Sequence, residues 1–252
     1  LIEKPIAAKS DGVAEILAEA RARGVPVAVG YNMRFLETLV EFREEVQSNR
    51  VGRIISVRSE VGQYLPDWRP GRNWRETVSA RNELGGGVMR EMSHEIDYLR
   101  WIFGDVDWVR AWTGRQGFKL AVEDTAHLVL GFKHALSDPK APPPVATLTL
   151  DFVRRDRARS CVVVGEKGTL VADFVNSDIR LRSGGKSEEV LFRGNSIDGD
   201  ATYRAQLDAF LSSVSKGEEP PVTAEEGLAV LRIIEAAERS QHHEGVAEKV
   251  TV

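Results

Sequence analysis

The sequence predicts an α+β fold, with a large, mostly antiparallel open sheet flanked by helices and preceded by a short α/β segment. Two patterns predict it. After residue 105, short stretches of alternating polarity follow one another, separated by tight turns such as GEKG at residues 165–168. Only the first thirty residues have the strand–helix–strand order of a parallel crossover. The sheet is therefore expected to occupy the second part of the chain.

Composition is that of an ordinary globular protein, with 42% hydrophobic and 29% charged residues. The net charge of −4 gives no basic surface for nucleic acid, and no apolar run reaches the length of a membrane span. No signal peptide is visible, so a cytoplasmic location is expected. The one cysteine, Cys161 in CVVVG, excludes an internal disulfide framework and is expected to be an inert core thiol.

The first thirty residues predict one α/β unit. Ser10 and Asp11 are good N-cap residues for a helix through VAEILAEARARG, which is expected to end at Gly24. PVAVG at residues 26–30 predicts a short buried strand. No G-x-G-x-x-G motif joins a strand to a helix. The chain starts without methionine at what resembles the end of a strand, so we expect it to be part of a longer protein.

The next segment predicts a helix at residues 36–48, a half-buried strand at 54–64 and a long loop at 65–83. The loop is rich in arginine and tryptophan, and contains Trp68, Arg69, Arg72, Trp74, Arg75 and Arg81. Arginine offers bidentate contacts to phosphate or carboxylate, and tryptophan offers a flat face for a sugar ring. A binding loop and an exposed basic loop with packing tryptophans both fit this pattern.

Residues 84–105 form the most informative stretch, in which three glycines lead into a helix expected to end at Gly104. One face of this helix is apolar: Val88, Met92, Ile96, Leu99 and Phe103. The other face bears Arg90, His94, Asp97 and Trp101, with Glu91 and Tyr98 beside them. Spacings of three place a carboxylate on either side of His94, where it can orient the imidazole and tune its pKa. A hydrogen-bonded structural histidine and a catalytic one both remain open.

The remaining chain predicts strands and then helices. Expected strands are 106–114, 124–132, 145–154, 160–164, 168–174, 179–182 and 189–192, followed by helices at 202–215 and 224–239 and an edge strand at 248–252. RRDRAR at residues 154–159 is expected to be the solvated end of a hairpin, and DPKAPPP at 138–144 a surface excursion.

Four motifs, in order, resemble one known family. They are EKP at residues 3–5, GYNMRF at 30–35, GGGVMREMSHEIDYLRWIFG at 85–104 and PPVTAEEGLAVLRIIEAAERS at 220–240. Together they resemble the oxidoreductases named for glucose–fructose oxidoreductase and inositol dehydrogenase, over essentially the whole chain. Members pair an N-terminal Rossmann domain that binds NAD or NADP with a C-terminal α+β domain that holds a sugar-like substrate. The resemblance implies a Rossmann remnant at 1–32 and a substrate and oligomerisation domain at 33–252.

The resemblance also implies residue roles. Lys4 would lie beside the nicotinamide and the reacting hydroxyl, His94 would accept the proton, and Asp97 would hold the histidine. The implied substrate-binding residues are Tyr31, Arg34, Trp68, Arg69, Arg72, Trp74, Arg75 and Glu91, and those near the cofactor are Glu3, Lys4, Pro5 and Asn32. Many members have an aspartate four residues before the histidine, where this chain has Arg90 and places Glu91 three before. No metal is implied.

The implied activity is NAD(P)-dependent oxidation of a secondary hydroxyl of a sugar, cyclitol or nucleotide-linked sugar. The implied assembly is a homodimer or homotetramer formed through the sheet face. The Gly-rich phosphate turn of the cofactor domain is not present in these 252 residues. We therefore expect the parent protein to be the enzyme, and this chain alone to bind no dinucleotide and to be inactive.

Two other interpretations compete with this one. The first is a non-catalytic module that binds a saccharide or mediates dimerisation. The second is a metal-dependent hydrolase built on His94, Glu91 and Asp97. This second interpretation is weak, because the other histidines show no ligand spacing with these residues.

Overall fold

The computed structural model describes residues 1–136, 140–185, 187–194 and 199–251, so part of the expected excursion at 138–144 lies outside the described residues. Within these ranges, nine strands form one sheet in the order β8-β7-β6-β5-β1-β4-β3-β2-β9. The strands are β1 Ile54–Gly62, β2 Val106–Gly114, β3 Thr125–Phe132, β4 Val145–Asp151, β5 Ala158–Gly165, β6 Thr169–Asp173, β7 Asp178–Arg182, β8 Glu189–Arg193 and β9 Glu248–Lys249. The β1–β4 pair is parallel and the other described pairs are antiparallel.

The helices are α1 Val13–Ala22, α2 Glu37–Gln47, α3 Val88–Glu91, α4 His94–Phe103, α5 Ala201–Lys216 and α6 Ala224–His242. Of these, α2, α3, α4 and α6 pack on one face of the sheet, whereas α1 packs mainly on α6 and α5 mainly on residues 32–35. In β4, Ala146, Leu148 and Leu150 are buried beneath the helices, whereas Val145 and Thr147 point to the outer face. This alternation is the expected pattern for a sheet with one covered face. The predicted α+β class with a mostly antiparallel open sheet is confirmed.

The α/β segment at the front differs from the prediction. The N-cap of α1 is Gly12, at φ 74°, and not Ser10 or Asp11. Ser10 donates instead from its backbone N–H and its hydroxyl to Glu235 on α6, at 2.7 and 2.6 Å, so a tertiary contact replaces the local cap. The strand expected at 26–30 is reduced to two single bridges, Ile2 with Val29 and Ala28 with Thr223.

The single helix expected to end at Gly104 is two helices, separated at Met92 and Ser93. In a continuous helix the carbonyl of Glu91 would accept from the N–H of Glu95. Here that carbonyl accepts from the Nζ of Lys4 at 2.6 Å, and the Glu95 N–H lies 3.4 Å from the carbonyl of Met92. The prediction of one continuous helix was therefore wrong at this point, because the carbonyl of Glu91 accepts a hydrogen bond from Lys4 in place of the helical one.

The outer face of the sheet has two adjacent rows of paired residues. One row runs Arg110, Val129, Thr147, Arg58, Val162, Val171 and Arg180. The other runs Trp112, His127, Thr149, Glu60, Ser160, Asp173 and Asp178. We call these the arginine row and the acidic row, after their charged members. Among the described residues, no helix is both long and apolar enough to cross a membrane.

Candidate functional site

The N-terminal segment is brought to the break between α3 and α4 by backbone pairing. The N–H of Ile2 donates to the carbonyl of Ala28, and the N–H of Gly30 donates to the carbonyl of Ile2, both at 2.8 Å. This pairing places Glu3 and Lys4 beside the segment that follows Gly30. Residues that are far apart in the sequence thus meet at one place.

A cleft of about 600 Å³ opens there, within the size range of small-molecule sites. Its lining comes from widely separated parts of the chain: Glu3, Lys4, Asn32, Met33, Val61, Gln63, Trp68, Arg69, Val78, Glu91, Met92, His94, Arg157, Ala158, Arg159 and Tyr203. Lys4, His94, Glu91, Trp68, Arg69, Glu3 and Asn32 were all predicted site residues, and the structure brings them together.

Lys4 is held at a fixed position in this cleft. Its Nζ donates to the main-chain carbonyl of Glu91 at 2.6 Å. Burial lowers the pKa of the Lys4 amine, and the nearby carboxylates of Glu91 and Glu3 oppose that shift. The amine is therefore a positioned donor that loses its proton more easily than a lysine in water.

His94 is the first residue of α4 and is 9% exposed. Burial lowers its pKa well below the usual 6.5, and the positive charges of Lys4 and Arg159 lower it further. Its Nδ1 is buried and has no hydrogen-bond partner among the described residues. The ring of Tyr31 meets the imidazole edge-on, with 5.7 Å between centroids. At neutral pH the imidazole is therefore neutral and able to accept a proton.

Asp97 does not hold His94, contrary to the prediction. Its two carboxylate oxygens accept from Nε and Nη2 of Arg34, at 2.9 and 2.7 Å, and Asp97 is fully buried. The Nη1 of Arg34 donates to Glu226 on α6 at 2.7 Å. Arg34, predicted to bind substrate, is thus enclosed in a network that joins α4 to α6.

Tyr31 also differs from its predicted role in substrate binding. Its side chain is fully buried, so no part of it faces the cleft. Its hydroxyl lies 3.5 Å from the Oγ of Ser93. The ring instead supports the imidazole of His94 from behind.

The Arg/Trp loop divides into residues that reach the cleft and residues that do not. Trp68 and Arg69 line it, whereas Arg72, Trp74 and Arg75 lie outside its lining. The Trp74 ring packs on Phe118, with 4.8 Å between centroids, and the Arg75 guanidinium stacks over Trp74. The loop predicted as irregular is a series of short 3-10 turns.

Glu91 and the residues predicted near the cofactor lie around the same opening. The Oε2 of Glu91 accepts from the hydroxyl of Ser79 at 2.8 Å. The side-chain amide of Asn32 donates to the Oγ1 of Thr202 at 2.7 Å. Pro5 follows a cis peptide bond and is not part of the lining.

Two cleft arginines were missed because residues 154–159 were interpreted as a solvated hairpin end. Arg157 and Arg159 both line the cleft, where Arg159 Nε lies 2.8 Å from Oε1 of Glu95. Glu95 is fully buried, and burial raises its pKa while Arg159 opposes the shift. The pairing of strands β1 and β5 could have indicated their position. Ala158 is opposite Gly62, so the loop at 154–159 and the loop that contains Trp68 leave the same end of the sheet.

No cluster of three or more histidine, cysteine, aspartate or glutamate side chains suited to a metal occurs among the described residues. The hydrolase interpretation built on His94, Glu91 and Asp97 therefore has no support from the geometry. Cys161 is fully buried, as expected of a core thiol, and burial raises its pKa.

Comparison with known proteins identifies the family of this chain and several relatives. Residues 43–252 match the family model described as "Oxidoreductase family, C-terminal alpha/beta domain". Myo-inositol 2-dehydrogenase of Thermotoga maritima is 25% identical over 250 residues, covering 94% of this chain and 69% of that protein.

Two solved structures share the fold. Levoglucosan dehydrogenase in complex with NADH and levoglucosan has a TM-score of 0.84 at 15% identity, over 99% of this chain and 73% of that one. The WlbA dehydrogenase of Bordetella pertussis, in complex with NADH and UDP-GlcNAcA, has a TM-score of 0.78 at 22% identity, over 100% and 72%.

Proposed function

The chain belongs to the Gfo/Idh/MocA oxidoreductase family through its C-terminal alpha/beta domain, and we propose that it forms the substrate side of an NAD(P)-dependent dehydrogenase. The substrate would be a sugar, cyclitol or nucleotide-linked sugar oxidised at a secondary hydroxyl. One observation supports this most: Lys4 and His94 line the same cleft, and burial lowers the pKa of both.

The proposed chemistry follows from these two side chains. Oxidation of a secondary alcohol requires a base for the O–H proton while the C–H leaves as hydride. The neutral imidazole of His94 would take the proton. The Nζ of Lys4, aligned by the Glu91 carbonyl, would hydrogen-bond the alcohol oxygen and favour its ionised form. Asp97 would help to position α4, because Arg34 links it to α6. Tyr31 would help to position the imidazole of His94, which its ring contacts edge-on.

The cofactor of the proposed reaction is NAD or NADP, which supplies the hydride acceptor when bound. Glu3 and Asn32 line the cleft together with Lys4, and the side-chain amide of Asn32 donates to Thr202. These polar groups would contact the nicotinamide end of the cofactor. Pro5 would shape the turn beside them. These 252 residues include no G-x-G-x-x-G turn for the pyrophosphate. We therefore expect the chain alone to show no tight NADH or NADPH binding in a fluorescence titration.

The test of function uses the complete product of the gene as well as the chain. Formation of reduced nicotinamide is followed with myo-inositol, levoglucosan and a UDP-linked sugar acid, using NAD⁺ and NADP⁺. His94→Asn and Lys4→Met are each expected to lower kcat/KM by about 10²-fold or more, and Arg72→Gln, outside the cleft, to leave it unchanged. Full activity in His94→Asn would reject the proposed base. Saccharide binding without any turnover would favour the non-catalytic module.

We also propose that two copies associate through the outer face of the sheet. That face combines exposed Trp112 with valines such as Val162 and Val171 in a wide, uncovered surface. A two-fold axis in the plane of the interface, parallel to the two rows and midway between them, would lay the arginine row of one copy over the acidic row of the other. The charges of this face would thus be complementary to those of a second copy.

A further inference from the structure

The cleft contains two guanidinium groups that lack an acidic partner. Among the residues described, neither Arg69 nor Arg157 takes part in an ion pair or a side-chain hydrogen bond. The other two cations of the lining are engaged, since Lys4 donates to the Glu91 carbonyl and Arg159 pairs with Glu95. Unpaired arginines on a surface are common, but two that face one cleft are a candidate anion site.

The two groups reach the cleft from neighbouring strand ends. Arg69 follows β1 and Arg157 precedes the start of β5, and these strands pair with Gly62 opposite Ala158. Both residues are exposed and lie in two different loops that leave the same end of the sheet. Burial lowers the pKa of the Arg157 guanidinium, and the neighbouring Arg159 lowers it further, so its charge is poorly compensated.

The acids of the same cleft do not balance these charges. Glu91 accepts from Ser79, and Glu3 accepts from the backbone N–H of Lys4. Both lie with Lys4, at the part of the cleft where the alcohol is proposed to react. Arg69 and Arg157 thus add positive charge to a cleft whose two acids are already hydrogen-bonded.

We propose that the cleft selects sugars bearing an anionic group, a carboxylate or a phosphate, which Arg69 and Arg157 hold while the hydroxyl faces Lys4 and His94. This inference rests on the proposed function of the same cleft. The guanidinium fork matches both anions in a bidentate manner, so the structure identifies their shared chemistry.

The test is calorimetric titration of the chain with D-glucuronate, D-glucose 6-phosphate and D-glucose, which share one ring. At least one anionic sugar is expected to bind roughly tenfold to hundredfold more tightly than glucose, and which one does so identifies the anion. Added salt should weaken anion binding and leave glucose binding unchanged. Arg69→Gln and Arg157→Gln should each remove most of the difference.

Matched controls lie in the same loops. Arg72→Gln and Arg155→Gln change an arginine three and two positions away, outside the cleft, and should leave the preference intact. Arg157→Lys keeps the charge but loses the fork, so it should weaken binding to an intermediate degree. Thermal unfolding of each variant confirms that it is folded.

Equal affinity for the three sugars, or a preference that survives both glutamine variants, would overturn the inference. Turnover of neutral sugars without an anion preference would retain the dehydrogenase and reject the anion site. Anion binding that depends on Arg69 and Arg157, without turnover in the complete gene product, would retain the site and reject the dehydrogenase.

Discussion

Burial favours the neutral form of both Asp97 and His94 on α4, but only Asp97 has a counter-charge. Burial raises the pKa of the Asp97 carboxyl, and the guanidinium of Arg34, which donates to both of its oxygens, opposes that shift. His94 has no such partner, and the charges near it are positive, so the neutral form is favoured. The first arrangement links α4 to α6 through Arg34, and the second keeps the imidazole neutral. The two residues thus differ in their electrostatic surroundings although one helical turn separates them.

The pH dependence of stability should report the state of His94. The unfolded chain takes up a proton at this residue near pH 6.5, whereas the folded chain resists protonation until well below that value. Stability from the neutral imidazole is therefore complete above pH 6.5 and declines as the pH falls, by up to about 1.4 kcal/mol per pH unit. His94→Gln should lose less free energy of unfolding than the wild type between pH 7 and 5, measured by urea denaturation. Parallel curves would contradict the lowered pKa.

The corrected role of Arg34 predicts a stability effect. Arg34→Ala leaves the buried carboxylate of Asp97 without a counter-charge and should reduce the free energy of unfolding by about 3–5 kcal/mol. The double variant Arg34→Met, Asp97→Leu should lose much less than the sum of the single changes. Denaturant unfolding measures both. Sugar affinity that falls in a variant of normal stability would restore the role in substrate binding.

Sequence patterns predicted several residues that line the cleft, but not the contacts of their neighbours. Lys4 and His94 stand in motifs of the family, and the structure places both in one cleft. The partner of Asp97 could not be predicted, because helical spacing relates residues only along one helix and Arg34 is 63 residues away. Arg157 and Arg159 were missed for a similar reason: their position depends on which strands pair.

At the scale of elements, glycines determine how α3 begins. A Cβ at Gly86 would meet the carbonyl oxygens of Val78, Arg81 and Ser79 at 2.2, 2.8 and 2.9 Å. These carbonyls belong to the 3-10 turns that precede the helix. The absence of a side chain therefore allows the Arg/Trp loop to pack directly against the start of α3.

Gly86→Ala should accordingly destabilise the chain by roughly 2 kcal/mol or more, and should weaken sugar binding because α3 supports Glu91. Gly184→Ala is the matched control, since a Cβ there has nothing within 4 Å. Chemical denaturation and titration with the best-binding sugar measure the two effects. A Gly86→Ala variant as stable as the Gly184→Ala variant would show that the loop can move away at little cost.

Elements were predictable where a pattern is local. Strands such as β2 and β4 were expected because their alternation follows from one covered face. The break between α3 and α4 was not, because it depends on the Lys4 amine, 87 residues before Glu91. The same holds for the start of α1, where Ser10 bonds Glu235 and leaves the N-cap to Gly12.

At the scale of the whole molecule, two surfaces compete as sites of self-association. One is the outer face of the sheet with its arginine and acidic rows. The other is the exposed side of α5, where Tyr203, Leu207, Leu211 and Val214 are 50, 47, 52 and 43% exposed. The α5 stripe is narrow and apolar, whereas the sheet face is wide and bears opposite charges in adjacent rows. The opposite charges of the sheet face therefore favour it as the interface of the proposed dimer.

A charge reversal on the sheet should therefore separate the two possibilities. Arg58 lies in the middle of the arginine row, so Arg58→Glu would place like charges against the acidic row of the second copy. The dissociation constant of the proposed dimer, measured by sedimentation equilibrium, should rise by about tenfold or more, and added salt should reduce the difference. Arg72→Glu makes the same change outside the sheet and should have no effect. Dissociation caused by Leu211→Glu but not by Arg58→Glu would show that the interface lies on α5 and not on the sheet.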